Sequence, residues 1–219
     1  EIGVRLVGSE MCIRDRDKIQ YTGYIVDLDG VPVCVKRIDE ILVSIGGGNA
    51  GEKLVRTAIA AAKLPRADQW HWRCLVSPHL VRRGELLEHN QSCKHLTVEP
   101  NRKDFTKLLS RCAVSIQQAG YNTVVESLVL GTPCVLIPFS DWGEKEQTIR
   151  AEAVAKISSI LSFHVEEVTP VVLLESVEQL CGRESSGEIA MQVDGAKYTA
   201  CLLYTSDAAD EGLGVDLGG

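Results

Sequence analysis

The sequence predicts an α/β protein built on a doubly wound parallel sheet. Two observations carry that expectation. Strand-like and helix-like segments alternate five times from Ile41 to Lys156, and the strand segments are too continuously apolar to leave one face in water. The chain has 219 residues, 45% of them hydrophobic, which is enough for one such domain to bury a core.

The elements follow in order. Ile41-Leu42-Val43-Ser44-Ile45 reads as a buried strand ended by Gly46-Gly47-Gly48. From Glu52 to Lys63, the residues Leu54, Val55, Ala58, Ile59 and Ala62 recur at helical spacing on one face. Trp72 to Ser77 is a second strand, stopped by Pro78, and Leu80 to His89 a helix with Leu80, Val81, Leu86 and Leu87 apolar. His95 to Glu99 is a third strand, and Lys103 to Cys112 a helix burying Phe105, Leu108 and Leu109. Ala113 to Ile116 is a fourth strand. The helix after it, Asn122 to Leu130, is closed by Gly131-Thr132-Pro133, a glycine-then-proline stop. Cys134 to Pro138 is a fifth strand, and a longer helix runs from about Glu144 to Lys156. Residues 17–38 contain Gly23, Gly30 and Pro32 with little periodicity and read as a linker or lead-in strand. Residues 39–181 form the domain, and 182–197 a tail.

Both ends read unlike the middle. Leu6-Val7-Gly8-Ser9-Glu10-Met11-Cys12-Ile13-Arg14-Asp15-Arg16 resembles a translated sequencing adapter, and Cys201 to Glu211 resembles its companion. Residues 1–16 and 198–219 are therefore expected to be non-native, and a longer natural protein is expected upstream. The formal net charge is −7, but residues 198–219 carry four acids and no base, so function is not argued from that charge. With no basic block, nucleic acid is not an expected partner. No run of about 18 apolar residues occurs, so no membrane-spanning helix is expected. The eight cysteines are scattered without a C-x-x-C pair, and several lie in apolar runs such as Pro133-Cys134-Val135. They read as buried, reduced thiols rather than a disulfide framework or a metal ribbon.

In a doubly wound sheet, ligands bind beyond the carboxyl ends of the strands. Three stretches fall there. The loop Gly46-Gly47-Gly48-Asn49 sits between a strand and a helix start, where glycines admit a phosphate and free N–H groups meet it. No Gly-Lys-Ser/Thr follows, so it is not a P-loop, and a tight turn without a ligand is an equal reading. The second stretch is Gln117-Gln118-Ala119-Gly120-Tyr121-Asn122-Thr123-Val124-Val125-Glu126, a strand end and a small-residue turn opening a helix with Asn122 or Thr123 as cap. Glu126 lies a turn in, on the side of Asn122, where a carboxylate can accept from two vicinal hydroxyls or serve a capping interaction. The third is Glu144-Lys145-Glu146-Gln147, which could hold a sugar or be an ordinary solvated helix start.

Ser115 to Glu126, the strand Pro133 to Pro138, and Glu146-Gln147 with Arg150-Ala151-Glu152 resemble the C-terminal half of a GT-B glycosyltransferase. The similar group is the family-28 C-terminal domain, which includes the bacterial enzyme adding N-acetylglucosamine to lipid-linked peptidoglycan precursor. The resemblance spans about residues 39–180 and implies a Rossmann-like, nucleotide-sugar-binding half of a hexosyl- or N-acetylhexosaminyltransferase. It implies no cofactor and no metal, but a donor, UDP-linked by resemblance. Carried over, Gly46, Gly47, Gly48 and Asn49 with Ala119, Gly120, Tyr121, Asn122 and Thr123 face the donor diphosphate. Glu126 holds the ribose, Glu146 and Gln147 contact the donor sugar, and Val98 and Glu99 line the base. The family's acceptor site and base lie in the N-terminal half, so no catalytic residue is assigned, and the chain alone is expected to bind donor but transfer little. The acceptor is lipid-linked or a small molecule. The implied location is cytoplasmic, with any contact to the inner membrane face made through the missing half.

Other readings stand beside this one. A UDP-sugar 2-epimerase shares the architecture, and a non-catalytic donor-binding subunit shares the site. Asp27 and Asp29 fit the D-x-D of a haloacid-dehalogenase-type phosphohydrolase, as nucleophile and acid/base, or a plain acidic turn. His89, Cys93 and His95 are near one another but lack four ligands at zinc spacing. Trp70 and Trp72 read as packing residues.

Overall fold

The computed structural model describes residues 20–27, 31, 36–45, 50–90, 92–139, 145–182 and 194–201. Residues 20–27 and 194–201 belong to one compact unit, and those between to another.

The larger unit is a six-stranded, wholly parallel sheet. Its strands are β1 (Ile38–Ser44), β2 (His71–Val76), β3 (Leu96–Pro100), β4 (Cys112–Gln117), β5 (Cys134–Leu136) and β6 (Ile160–Ser162), in the spatial order β3-β2-β1-β4-β5-β6. Helices α1 (Ala50–Ala62), α2 (Arg83–Leu87), α3 (Phe105–Arg111), α4 (Tyr121–Val129) and α5 (Glu146–Val154) connect successive strands, and α6 (Pro170–Leu180) follows the last. The order reverses between β1 and β4, whose registered pairs include Val43 with Ile116 and Ser44 with Gln117.

Two faces follow from the alternation of side chains along each strand. Ile41 and Val43 share one face with Cys74, Val76, Val114 and Ile116. Leu54, Val55, Ala58 and Ile59 of α1 and Leu173, Leu174, Val177 and Leu180 of α6 pack on that face. Leu42 and Leu75 point the other way, into a smaller cluster with Leu108, Leu109 and Leu130. The expected face of α1 is therefore the buried one. Trp72 is fully buried, its indole N–H donating to the Ala67 carbonyl at 3.1 Å, and Trp70 packs in the same core.

The structure adds a sixth strand–helix unit that the sequence reading did not include. β6 is only three residues long, too short for a periodicity to show. α6 does carry a start signal: Thr169 accepts from the Val172 N–H at 3.2 Å, and Pro170 occupies the first turn. The helix expected over Leu80–His89 is confined to Arg83–Leu87, with hydrogen-bonded turns on both sides. Beyond it Asn90 is drawn away, its side-chain oxygen accepting from the Val98 N–H at 3.0 Å. The stop after α4 is as expected, with Gly131 at φ 61° and the Thr132 N–H returning to the Ser127 carbonyl at 2.8 Å.

Burial pushes the thiols of Cys74, Cys112 and Cys134 up to about 12, so they are protonated packing groups. At the amino edge of the sheet, Arg37 donates from Nη1 to the carbonyls of Ser110 and Cys112 and to the Thr132 hydroxyl. From Nη2 it donates to the carbonyls of Leu130 and Gly131. One guanidinium thereby closes the ends of α3 and α4, where carbonyls lack helical partners and the dipole is negative.

In the smaller unit, Ile25 forms an isolated antiparallel bridge with Asp194, and residues 195–201 are helical. The Gly195 N–H donates to the Tyr24 carbonyl at 3.1 Å. A Cβ at Gly195 would lie 2.6 Å from the Gly23 carbonyl oxygen, so this approach requires glycine. Asp27 is exposed here, and Asp29 lies outside the described residues. Among the described residues, no helix is long and apolar enough to cross a membrane.

Candidate functional site

A cavity of about 230 Å³ opens at the carboxyl ends of the strands, where the sheet order reverses. Its floor is the registered pair Ser44 and Gln117, the last residues of β1 and β4. Gly120 and Thr123, at the start of α4, form one wall; Asn101, Arg102 and Phe105, after β3, form another. Gln147 closes it from α5.

The α4 wall is built to receive negative charge. Gly120 is the N-cap, in extended conformation, and as a glycine it offers no side chain to cap the helix. The first N–H groups of a helix have no acceptors within the helix, and at the start of α4 they stand at the positive end of the dipole. The φ of Gly120 is −63°, open to any residue, and a Cβ there would meet nothing within 4 Å. Glycine is thus not required by the backbone; what it leaves is room on the cavity side.

Two buried polar groups hold that turn. Gln117, 1% exposed, donates to the Ser127 hydroxyl at 2.9 Å, and Ser127 donates to the Thr123 carbonyl at 2.8 Å. Arg150, 4% exposed, donates from Nη1 to the Ala119 carbonyl at 2.6 Å, with its guanidinium 5.6 Å from the centre of the Tyr121 ring.

On the opposite wall a charge ladder crosses the strands. Arg73 pairs with Glu40 at 3.1 Å and with Glu99. Glu99 in turn lies 3.5 Å from Arg102, which grips Asp104 through two bonds of 2.7 and 2.8 Å. Arg102 holds the Asp104 carboxyl down at about 2, so the pair stays charged and Arg102 is fixed at the cavity mouth.

The sequence comparison is decisive for the family. Residues 42–195 match the glycosyltransferase family 28 C-terminal domain. The chain belongs to that family. A Trichormus variabilis protein named UDP-N-acetylglucosamine--N-acetylmuramyl-(pentapeptide) pyrophosphoryl-undecaprenol N-acetylglucosamine transferase is 29% identical over 184 residues. The match covers 83% of this chain and 46% of the relative. A protein of the same name from a Nostoc species is 30% identical over 175 residues, covering 79% and 46%. This chain therefore spans about half the length of the curated relatives it matches. Among solved structures, MurG of Acinetobacter baumannii aligns with a TM-score of 0.58 at 18% identity, over 78% of this chain and 52% of that one. The glycosyltransferase VinC, in complex with dTDP, aligns at 0.51 and 16%, over 81% and 40%. At those identities the likeness is one of fold, and the fold is that of GT-B glycosyltransferases.

Within this family 28 domain the expected site residues scatter as follows. Gly120, Thr123 and Gln147 line the cavity. Ala119 is buried behind the wall, Tyr121 is half-buried beside Arg150, and Asn122 is exposed. Gln147 accepts from the Phe139 N–H at 3.0 Å, which leaves its amide nitrogen as the donor. The Glu146 side chain, 72% exposed, does not line the cavity. Gly46, Gly47, Gly48 and Asn49 lie outside the described residues, as does Glu144. Glu126 is half-buried one turn into α4; burial raises its carboxyl, and it has no hydrogen bond or ion pair among the described residues. Val98 and Glu99 are not part of the lining: the Val98 side chain is 2% exposed in the core, and Glu99 is committed to Arg73 and Arg102. Among the described residues, no group of three His, Cys, Asp or Glu side chains stands together as a metal site.

The sequence reading did not single out Asn101, Arg102 or Phe105 for the site, and it gave no role to Gln117 or Arg150, which lie in the stretches it did single out. The first three follow β3 directly, and the rule that ligands bind beyond strand ends points to them. Gln117 ends a largely apolar run, a position that marks a buried polar group, whereas Arg150 lies among polar and charged neighbours and no local pattern marks its burial.

Proposed function

We propose that this chain is the donor-binding part of a glycosyltransferase and takes a UDP-sugar in the cavity between β1 and β4. The observation that carries the proposal is the α4 start: a helix N-terminus with glycine at its N-cap, open at Gly120, with a half-buried carboxylate one turn further on that has no partner among the described residues. The first feature suits a diphosphate and the second a pair of ribose hydroxyls. The names of the curated relatives, which specify UDP-N-acetylglucosamine as donor, support the same reading.

In this reading the diphosphate lies against Gly120 to Thr123, joined by the Gly46–Asn49 loop, and Glu126 accepts from the ribose. Gln147 offers its amide to the donor sugar, with Glu146 near it. The base end is drawn to Asn101, Arg102 and Phe105, which follow Val98 and Glu99 in the chain; Phe105 supplies a flat apolar surface and Arg102 a planar cation held by Asp104. In transfer, the departing UDP gathers negative charge on its terminal phosphate. The α4 N–H groups stabilise that charge without reorganising, because the fold has already aimed them. The acceptor is lipid-linked, as the relatives' name specifies for those proteins, and is handled outside the matched region by a complete enzyme at the cytoplasmic membrane face.

The test is calorimetry of the chain with UDP, GDP, dTDP and their sugars. Binding of UDP and UDP-sugars in preference to the others is expected. A folded chain that binds none of them overturns the proposal.

A further inference from the structure

Arg150 is a buried cation that meets no buried carboxylate among the described residues. At 4% exposure, a guanidinium is costly to hold unless opposite charge and acceptors meet it. Its closest carboxylate contact among the described residues, Glu146, lies 4.0 Å from Nη2 on a side chain that is 72% exposed, so water screens the pair. Its Nε, also buried, has no hydrogen-bond partner among the described residues. What Arg150 does touch is the turn into α4, through the Ala119 carbonyl at 2.6 Å and the face of Tyr121. It stands three residues after Gln147 on α5, on the same side of the helix, so one helix face serves both the cavity wall and the turn behind it.

We infer that Arg150 is a positioning residue for the diphosphate and the standing countercharge behind it, an inference that rests on the donor-site reading above. Two effects act together. The bond to Ala119 holds that carbonyl at the guanidinium, which fixes the turn so that the N–H groups from Gly120 onward line the cavity. The charge, met among the described residues only by the solvent-screened Glu146, gains a second partner when an anion binds on the far side of the same turn. The ligand's phosphates thus relieve a deficit built into the fold, and the binding they gain is specific to charge rather than to the nucleoside.

Uridine and UDP separate the charge effect from a merely structural one. The two ligands share base and ribose and differ in the diphosphate. Calorimetry is run on the full chain with both, for the wild type, Arg150→Gln and Arg150→Lys. Gln keeps an amide donor for Ala119 and loses the charge; Lys keeps the charge. In Arg150→Gln, UDP affinity is expected to fall by about tenfold or more while uridine changes by less than about twofold, the range for losing one charged partner. Arg150→Lys is expected to keep most of the preference for UDP. Equal losses for both ligands, or no loss of UDP affinity, overturn the inference and leave the donor site standing. If Arg150→Gln does not fold, Arg150→Lys decides: a Lys variant that still binds uridine but has lost the preference for UDP overturns the role of charge, and one that keeps it supports that role. A wild-type chain that binds neither ligand overturns the donor-site reading and this inference with it.

Discussion

Arg37 and Arg150 stand at opposite edges of the same sheet and are treated in opposite ways. At the amino edge, Arg37 gives five hydrogen bonds to four carbonyls and a hydroxyl, and it ties the ends of α3 and α4 to the approach of β1. At the carboxyl edge, the more deeply buried Arg150 gives one bond to a carbonyl and leaves Nε unmatched among the described residues. A guanidinium so engaged is architecture, because both of its terminal nitrogens are spent on the fold. An unsaturated one keeps interaction energy in reserve, and in this chain that reserve lies behind the wall where an anion is expected. The same division runs through the two edges as a whole: closed helix ends on one side, a helix start with glycine at its N-cap on the other.

The largest expected effect tests the closed edge. Arg37→Ala strands several carbonyls at once and should cost about 3 kcal/mol of stability, measured by denaturant unfolding, with nucleotide affinity of the folded fraction unchanged. A loss of affinity without a loss of stability would erase the contrast. Next is Glu126→Ala, expected to weaken UDP binding by about 1–3 kcal/mol, the range for losing a charge-assisted partner. Unchanged affinity would mean the ribose lies elsewhere. Gly120→Ala should be smaller and one-sided: stability within about 0.5 kcal/mol, since φ is already permissive, but UDP affinity down by about tenfold as the Cβ takes ligand space. A variant that binds as well as wild type would show that the phosphate keeps clear of Gly120.

The smallest effect is in pH. Burial raises the Glu126 carboxyl, so its ionised form is disfavoured in the fold. The folded state therefore holds this proton more tightly than the unfolded chain, and the group's contribution to stability falls as pH rises through its titration. Glu126→Gln should accordingly be slightly more stable than wild type at neutral pH, with the difference closing as pH drops below the titration. Wild-type affinity for a UDP-sugar, whose diphosphate is esterified at both ends and keeps its charge, should decline on acidification before an ordinary carboxylate would titrate, and in Glu126→Gln that decline should be absent. Thermal melts and calorimetry from neutral pH downward check both signs.

Much of the fold is legible in the chain because apolar runs bounded by glycine and proline leave few alternatives. The strands around Ile41, Trp72, Leu96, Val114 and Val135 are read directly, as is the buried face of α1. β6 is not, because three residues carry no period, and α6 shows only in the Thr169-Pro170 start. At the site, the turn at Gly120 and the carboxylate of Glu126 are local to one helix start and can be read from spacing. Arg102 and Phe105 are brought to the cavity by the crossover from β3, which no local pattern encodes.

What the residue order settles here is local: which segments are strands, where helices begin and stop, and that a small turn precedes a helix carrying a glutamate. Those depend on backbone preference and on the spacing of apolar side chains, both of which act within a few residues. Packing alone settles which strand ends meet and which charges are cut off from water. Arg150 and Ala119 are 31 positions apart, and Arg37 and Thr132 are 95 apart. Whether a guanidinium is saturated depends on what distant segments bring to it, and burial turns that difference from a negligible one in water into one that matters.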